Sequence, residues 1–185
     1  MILAVDTDVL VNWAMAGAPY HRAARSLIET EVASLGGQIG LTPQVLFEFL
    51  HITTDPRRFQ HPLSLNQAGR LARQLWDGRD VARVLPGPTL VHRTLELLTT
   101  FRLGRKRILD TALAATLEAA SITRLATFNR RDFEIFLQIS EDQLLHAISR
   151  RARDGGFAER LQRLHPSAHD TGISRAHKNT AGKRG

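Results

Sequence analysis

The chain starts with an apolar run that ends on acids. Ile2-Leu3-Ala4-Val5 leads into Asp6-Thr7-Asp8, and Val9-Leu10-Val11 then resumes the apolar pattern. A buried strand ending on an aspartate holds that side chain rigidly at the carboxyl edge of a sheet, where open α/β folds bind their ligands. Taking a carboxylate out of water is costly unless a cation or hydrogen-bond donors meet it. Asp6 therefore needs a partner, and a metal ion is a good candidate.

The rest of the pattern is consistent with that start. Gly36-Gly37 ends a helical stretch over Tyr20 to Leu35, and Gln38 to Leu41 reads as a second strand. Thr42-Pro43 has the form of an N-cap followed by proline at the first helical position. The helix it opens carries Val45, Leu46, Glu48, Phe49 and Leu50 and stops before Asp55-Pro56. Leu65 to Trp76 repeats its apolar residues at three- and four-residue steps, the period of a helix. Val81 to Leu85 is the third expected strand, Thr89 to Phe101 a helix, Gly104 to Arg107 a basic loop and Ile108 to Ala120 a strongly apolar helix. Arg124 to Thr127 is the fourth strand, and a last short strand is expected within Phe136 to Ile139. Strands alternating with helices predict an α/β fold with a mainly parallel sheet.

The compact domain is expected to span residues 1–140, with 141–185 as a basic extension. Two short helices are expected between Glu141 and Leu164, and disorder from Ser167 to Gly185, a polar, basic stretch. The net charge is +7, of which +4 falls after residue 140, so the main body is only mildly basic. Strong basicity points to polyanionic partners; a solvated basic tail explains the same numbers equally well. The chain has no cysteine, which excludes disulfides, thiolate zinc sites and a cysteine nucleophile. The eight histidines show no metal-ligand spacing on one helix, which argues against zinc. No basic segment precedes the first apolar run, so a secretory signal is not expected. No stretch approaches the roughly 18 apolar residues of a membrane span. The expected setting is the cytoplasm, without membrane contact.

Three acids stand where their apolar surroundings do not predict them: Asp6, Glu48 and Asp110. Each has a plain structural explanation. Asp6 could cap the next helix, Asp110 could favour its helix N-terminus by charge–dipole attraction, and Glu48 could face solvent. Together, at strand ends and helix starts, they form an oxygen-only set suited to Mg²⁺ or Mn²⁺. Such ions bridge phosphate oxygens and activate water. A phosphodiester facing three carboxylates needs a metal to bind, which makes nuclease chemistry coherent with a basic surface.

The strings Val5-Asp6-Thr7-Asp8-Val9-Leu10, Thr42-Pro43-Gln44-Val45-Leu46-Phe47-Glu48-Phe49, Ile108-Leu109-Asp110-Thr111-Ala112-Leu113-Ala114-Ala115 and Leu125-Ala126-Thr127-Phe128-Asn129-Arg130-Arg131-Asp132-Phe133 occur in order over residues 2–140. The ordered set resembles the PIN-domain ribonucleases, specifically the VapC-like toxins of bacterial toxin–antitoxin pairs. The resemblance implies a PIN-like fold, with a parallel sheet of four to five strands flanked by helices on both sides. It also implies a Mg²⁺ site, with Mn²⁺ as the substitute, single-stranded or structured RNA as substrate with tRNA the family expectation, a homodimer, and an antitoxin that blocks the groove. Asp6 and Asp110 would be metal ligands, and Glu48 would bind metal or orient the attacking water. Thr7 and Thr127 match hydroxyl positions that hold the carboxylates in place.

Two positions depart from the family pattern. Asp8 stands where asparagine is usual; it either points away or adds charge for a second metal. Asn129 stands at the fourth acidic position and would ligate without charge. Asp132, three residues on, either compensates for the missing charge at Asn129 or fixes a turn with Phe133, the second being the preferred reading. Arg105, Lys106 and Arg107 precede Asp110 and would meet a phosphate backbone passing the site, the alternative being a solvated turn. Arg57-Arg58-Phe59 reads as a surface turn anchored by Phe59. Two other functions compete with the nuclease: a degenerate PIN domain that binds without cutting, and a haloacid-dehalogenase-like phosphatase. The second is poorly supported, because Lys106 is the one lysine of the main body and no Asp-Asp pair lies near it.

Overall fold

A computed structural model of the chain describes residues 1–137. The expectations for the 141–185 extension lie outside the described residues. β1 (Ile2–Val5) is followed by α1 (Thr7–Ala14) and α2 (His21–Glu29), which runs on through a π-type turn, Thr30–Ser34. Next come β2 (Gln38–Leu41), α3 (Pro43–Thr53), α4 (Leu65–Trp76), β3 (Val81–Arg83) and α5 (Leu90–Thr100). A 3₁₀ turn, Arg105–Arg107, opens α6 (Ile108–Ala119), and β4 (Leu125–Ala126) and α7 (Arg130–Leu137) complete the order.

The sheet has the order β3-β2-β1-β4, and every pairing in it is parallel. From β1 the chain winds outward to β2 and β3, then returns to place β4 on the other side of β1. The strand order reverses between β1 and β4, the place where doubly wound sheets open a crevice at their carboxyl ends. The register Val5↔Ala126 sets Asp6 and Thr127 side by side as the next residues of the two strands.

Local chemistry explains the element boundaries. Thr42 caps α3, its hydroxyl accepting from the Val45 N–H at 3.2 Å, and Pro43 begins the helix as its spacing predicts. Ser64 and Gln67 close a reciprocal capping box on α4. Leu3, Val5, Leu10, Leu41, Val45, Phe49, Leu113, Leu117 and Leu125 form the fully buried centre of the core. α6 buries Thr111 and the run Leu113 to Leu117, and its alanines let it lie close against α5. Phe59 packs partly buried against the core, anchoring its turn as expected.

One local expectation is corrected. A strand is expected within Phe136 to Ile139, but Phe136 and Leu137 belong to α7. Phe133 and Phe136 are buried at a three-residue spacing, a helical period that alternation on a strand cannot produce. The helical stretch expected over Tyr20 to Leu35 is present, as α-helix to Glu29 and then as a π-type turn to Ser34. That turn aims Glu31 inward, where it is 3% exposed.

Arg124, just before β4, meets Glu31 with two bonds, Nη1 to Oε1 at 2.5 Å and Nη2 to Oε2 at 2.8 Å. Gly37 makes room for the pair, since a Cβ there would lie 2.6 Å from Glu31 Oε1. A buried ion pair is costly to break from one side, because the remaining charge is left unpaired. Arg124→Ala is therefore expected to destabilise the protein by about 3–5 kcal/mol. The double change Arg124→Met with Glu31→Leu should recover most of that loss. Urea unfolding of the three chains checks both statements.

Candidate functional site

The site is assembled where β1 and β4 end. Asp6 leaves β1 in an extended conformation and begins α1. One carboxylate oxygen accepts the Thr7 N–H at 2.7 Å and the other accepts the Thr127 hydroxyl at 2.9 Å. Asp6 is 8% exposed. The capping explanation for Asp6 is thus met by one oxygen, while Thr127 holds the other. Thr127 Oγ1 also accepts the Asn129 N–H at 2.9 Å. The Thr7 hydroxyl donates to Glu48 Oε2 at 2.7 Å, joining α1 to α3.

Asp8 faces the same crevice. Its Oδ2 accepts the Phe128 N–H at 3.0 Å, while its Oδ1 is buried without a partner. Asp110 stands in the first turn of α6, with Arg107 Nε 3.2 Å from its Oδ2. The same guanidinium lies 3.6 Å from Asp132 Oδ1 and donates to the Asp132 carbonyl. Gln44 on α3 donates to the Leu109 carbonyl at 2.8 Å, tying the Glu48 helix to the Asp110 helix.

This crowding of acids shows in their ionisation. Burial, then the Asp8 charge, pushes Asp6 from 3.8 up to about 7, with Asp110 adding to the shift and the Thr127 and Thr7 hydrogen bonds opposing it. Burial raises Asp8 to about 6 against the backbone donors of Phe128, Val9 and Asn129. Asp110 is raised too, by burial and then by Asp132; Arg107 opposes the shift and Glu48 adds to it. The acids therefore share one electrostatic field. Among the described residues, no three His, Asp or Glu side chains are already drawn together as an ion-holding group. The donor chemistry still fits a hard divalent cation: the oxygens are carboxylate oxygens, one is buried and unpartnered, and mutual repulsion leaves the cluster short of positive charge.

The expected residues are placed unevenly. Asp6, Thr7, Asp8, Glu48 and Thr127 meet through direct bonds to one another or to the same loop, and Asp110 joins them through its field. Asn129 is exposed and engages through its backbone N–H. Arg105 and Lys106 are exposed on the 3₁₀ turn, whereas Arg107 turns inward to Asp110 and Asp132. Sequence reasoning missed Gln44, whose role is a contact between distant helices. It also missed Asn12, a polar residue in an apolar helix, four residues after Asp8, whose amide donates to the Asp8 carbonyl at 2.8 Å.

A family model described as PIN domain matches residues 3–142. The chain belongs to the PIN domain family. Among solved structures it is similar to Mycobacterium tuberculosis VapC20, titled a sarcin-ricin loop cleaving toxin. The TM-score is 0.59 and the identity 18%, over 82% of this chain and 99% of that one. At that identity the likeness is one of fold. No curated protein matches the chain in sequence. Family membership overturns the phosphatase alternative.

The raised carboxyl groups set the stability of the metal-free protein. Between 3.8 and about 7 the folded Asp6 keeps a proton that the unfolded chain has lost, and Asp8 behaves likewise up to about 6. Stability therefore falls as pH rises through this window and levels off above it. In chelator, the melting temperature should drop between about pH 4 and about pH 7. Asp6→Asn should flatten the drop and raise the melting temperature at the upper end by about 4 °C or more. An unchanged slope would mean that Asp6 is fully ionised and already satisfied.

Proposed function

We propose that the protein is a divalent-metal-dependent endoribonuclease and the toxin of a toxin–antitoxin pair. One observation carries the reading: a buried Asp6 carboxyl, pushed to about 7 and flanked by Asp8 and Asp110, at the switch point of a PIN fold. Such a group is stabilised when a cation arrives. Asp6 and Asp110, with Glu48 and the neutral oxygen of Asn129, are the residues that would hold Mg²⁺ or Mn²⁺. Bound there, the ion supplies charge to a phosphodiester and makes a water nucleophilic near neutral pH.

The chain's own residues prepare that site. Thr127 and the Thr7 N–H fix both oxygens of Asp6. The Thr7 hydroxyl fixes Glu48, so that its free oxygen can bind the ion or orient water. Arg107 opposes the upward shift of the Asp110 carboxyl and orients it. Arg105 and Lys106, exposed on the turn that leads into α6, would take backbone phosphates. An RNA substrate, tRNA among the candidates, a homodimer, a cytoplasmic setting and an antitoxin that inserts an arginine among the carboxylates complete the proposal.

A second reading, binding without cleavage, draws support from Asn129 and from the Arg107 charge already spent on Asp110. The experiment that separates the two is cleavage of total RNA by the purified protein. The nuclease should cut at discrete sites with Mn²⁺, stop in EDTA, and lose cutting but not RNA binding on Asp6→Asn. Cutting that persists in chelator would sink the metal mechanism, and intact binding with no cutting under any condition would establish the second reading. Thr7→Val leaves Glu48 without its donor and should lower cleavage by about 10- to 100-fold while the fold melts normally. Co-expression of the neighbouring gene should relieve growth inhibition; a lack of rescue would count against the toxin assignment.

A further inference from the structure

Two aromatic rings lie beside the acids and outside the set assigned so far. Tyr20 and Phe128 are stacked, with centroids 4.6 Å apart and planes inclined by 21°. The lower ring is fastened to the acid cluster. Phe128 directly follows Thr127, whose hydroxyl binds Asp6, and its own N–H is given to Asp8. The upper ring is fastened separately. The Tyr20 N–H donates to Asn12 Oδ1 at 2.8 Å, and the Asn12 amide donates to the Asp8 carbonyl at 2.8 Å. His21 Nδ1 lies 2.8 Å from the Asn12 carbonyl, which pins the start of α2 as well. Both rings are thus held to the segment that carries Asp6 and Asp8.

Tyr20 nevertheless remains 53% exposed. With one face against Phe128, it is half open to solvent beside a crevice of carboxylates. Exposed cations flank the pair: Arg22 two residues beyond Tyr20, and Arg130 and Arg131 just beyond Phe128. Arg130 is paired with Glu134 at 2.9 Å; Arg22 and Arg131 make no ion pair among the described residues. A preorganised, partly exposed aromatic ring with exposed cations close to it in the chain is the combination that holds single-stranded nucleic acid, with bases stacking on rings and phosphates meeting charges.

We propose that Tyr20, backed by Phe128, is the platform on which an unpaired RNA base stacks while the adjoining phosphate faces the Asp6 cluster. The inference rests on the nuclease reading and assigns to Tyr20 the holding of the single-stranded or structured RNA that the family resemblance implies. RNA must offer a base free of its own stack, as single strands and loops do and duplexes do not. The platform selects for strandedness more than for sequence, because every base has a face to stack. Tyr20 is a positioning residue that orients the strand and leaves the chemistry to the acids.

The chain has a single tyrosine, so its ring can be observed alone. Full-length protein carrying 3-fluorotyrosine and Asp6→Asn, which keeps the RNA intact, is titrated with a short single-stranded RNA in Mg²⁺ and followed by ¹⁹F NMR. The one resonance should shift with the single strand and stay put with a duplex of the same sequence. Tyr20→Phe should keep the affinity for single-stranded RNA, and Tyr20→Leu, similar in bulk but without a π face, should weaken it about tenfold. A resonance unmoved at saturating RNA overturns the proposal and leaves the ring to a protein partner. Wild-type affinity in Tyr20→Leu overturns it as well. If the shift is present but wild-type protein never cuts RNA, the platform stands and the nuclease reading falls.

Discussion

Like charge held out of water is the constraint on which the structure turns. Asp6 and Asp8 stand at the start of α1 and Asp110 at the start of α6, and the fold brings them within one field. A hydrophobic core cannot tolerate that arrangement without donors. The chain supplies them economically: a helix N–H and a threonine for Asp6, a loop N–H for Asp8, an arginine for Asp110. What remains unsatisfied, including one buried oxygen of Asp8, is a standing attraction for positive charge. A PIN fold with such a cluster at its switch point is therefore a site built to be completed by something cationic.

The scaffold around the site is correspondingly stiff. Thr7 links α1 to α3, Gln44 links α3 to α6, and Asn12 links α1 to the Tyr20 turn. Each is a hydrogen bond between elements rather than within one, so each fixes the relative placement of two acids or of an acid and a ring. At the opposite end of β4, Arg124 and Glu31 tie the strand to the π-type turn after α2. The short β4 strand, with two residues in the ladder, is held in place by these side-chain ties as much as by its backbone pairing.

Much of this was legible in the chain. The apolar run into Asp6, the Thr42-Pro43 helix start and the alternation of strands and helices predict a parallel α/β sheet, and the sheet is parallel. The ordered strings around Asp6, Glu48, Asp110 and Thr127 point to the PIN family, to which the chain belongs. Phe136 and Leu137, expected in a strand, belong to a helix because a short apolar run reads alike in either form, and only burial against the core shows its period. Arg107 was grouped with Arg105 and Lys106 because a sequence cannot show which cation of a run turns inward.

The sequence by itself determined the ingredients: which residues are apolar, where chain direction must change, and which acids interrupt apolar surroundings. These are local properties, written in spacing of a few residues. The tertiary structure alone decided the pairings: Thr127 with Asp6 across 121 positions, Thr7 with Glu48, Phe128 with Asp8, Arg124 with Glu31, Tyr20 over Phe128. The physical reason is that hydrogen bonds, ion pairs and carboxylate repulsion act over a few ångströms of space. Only the return of the chain to β1 from its far end brings those residues within that range.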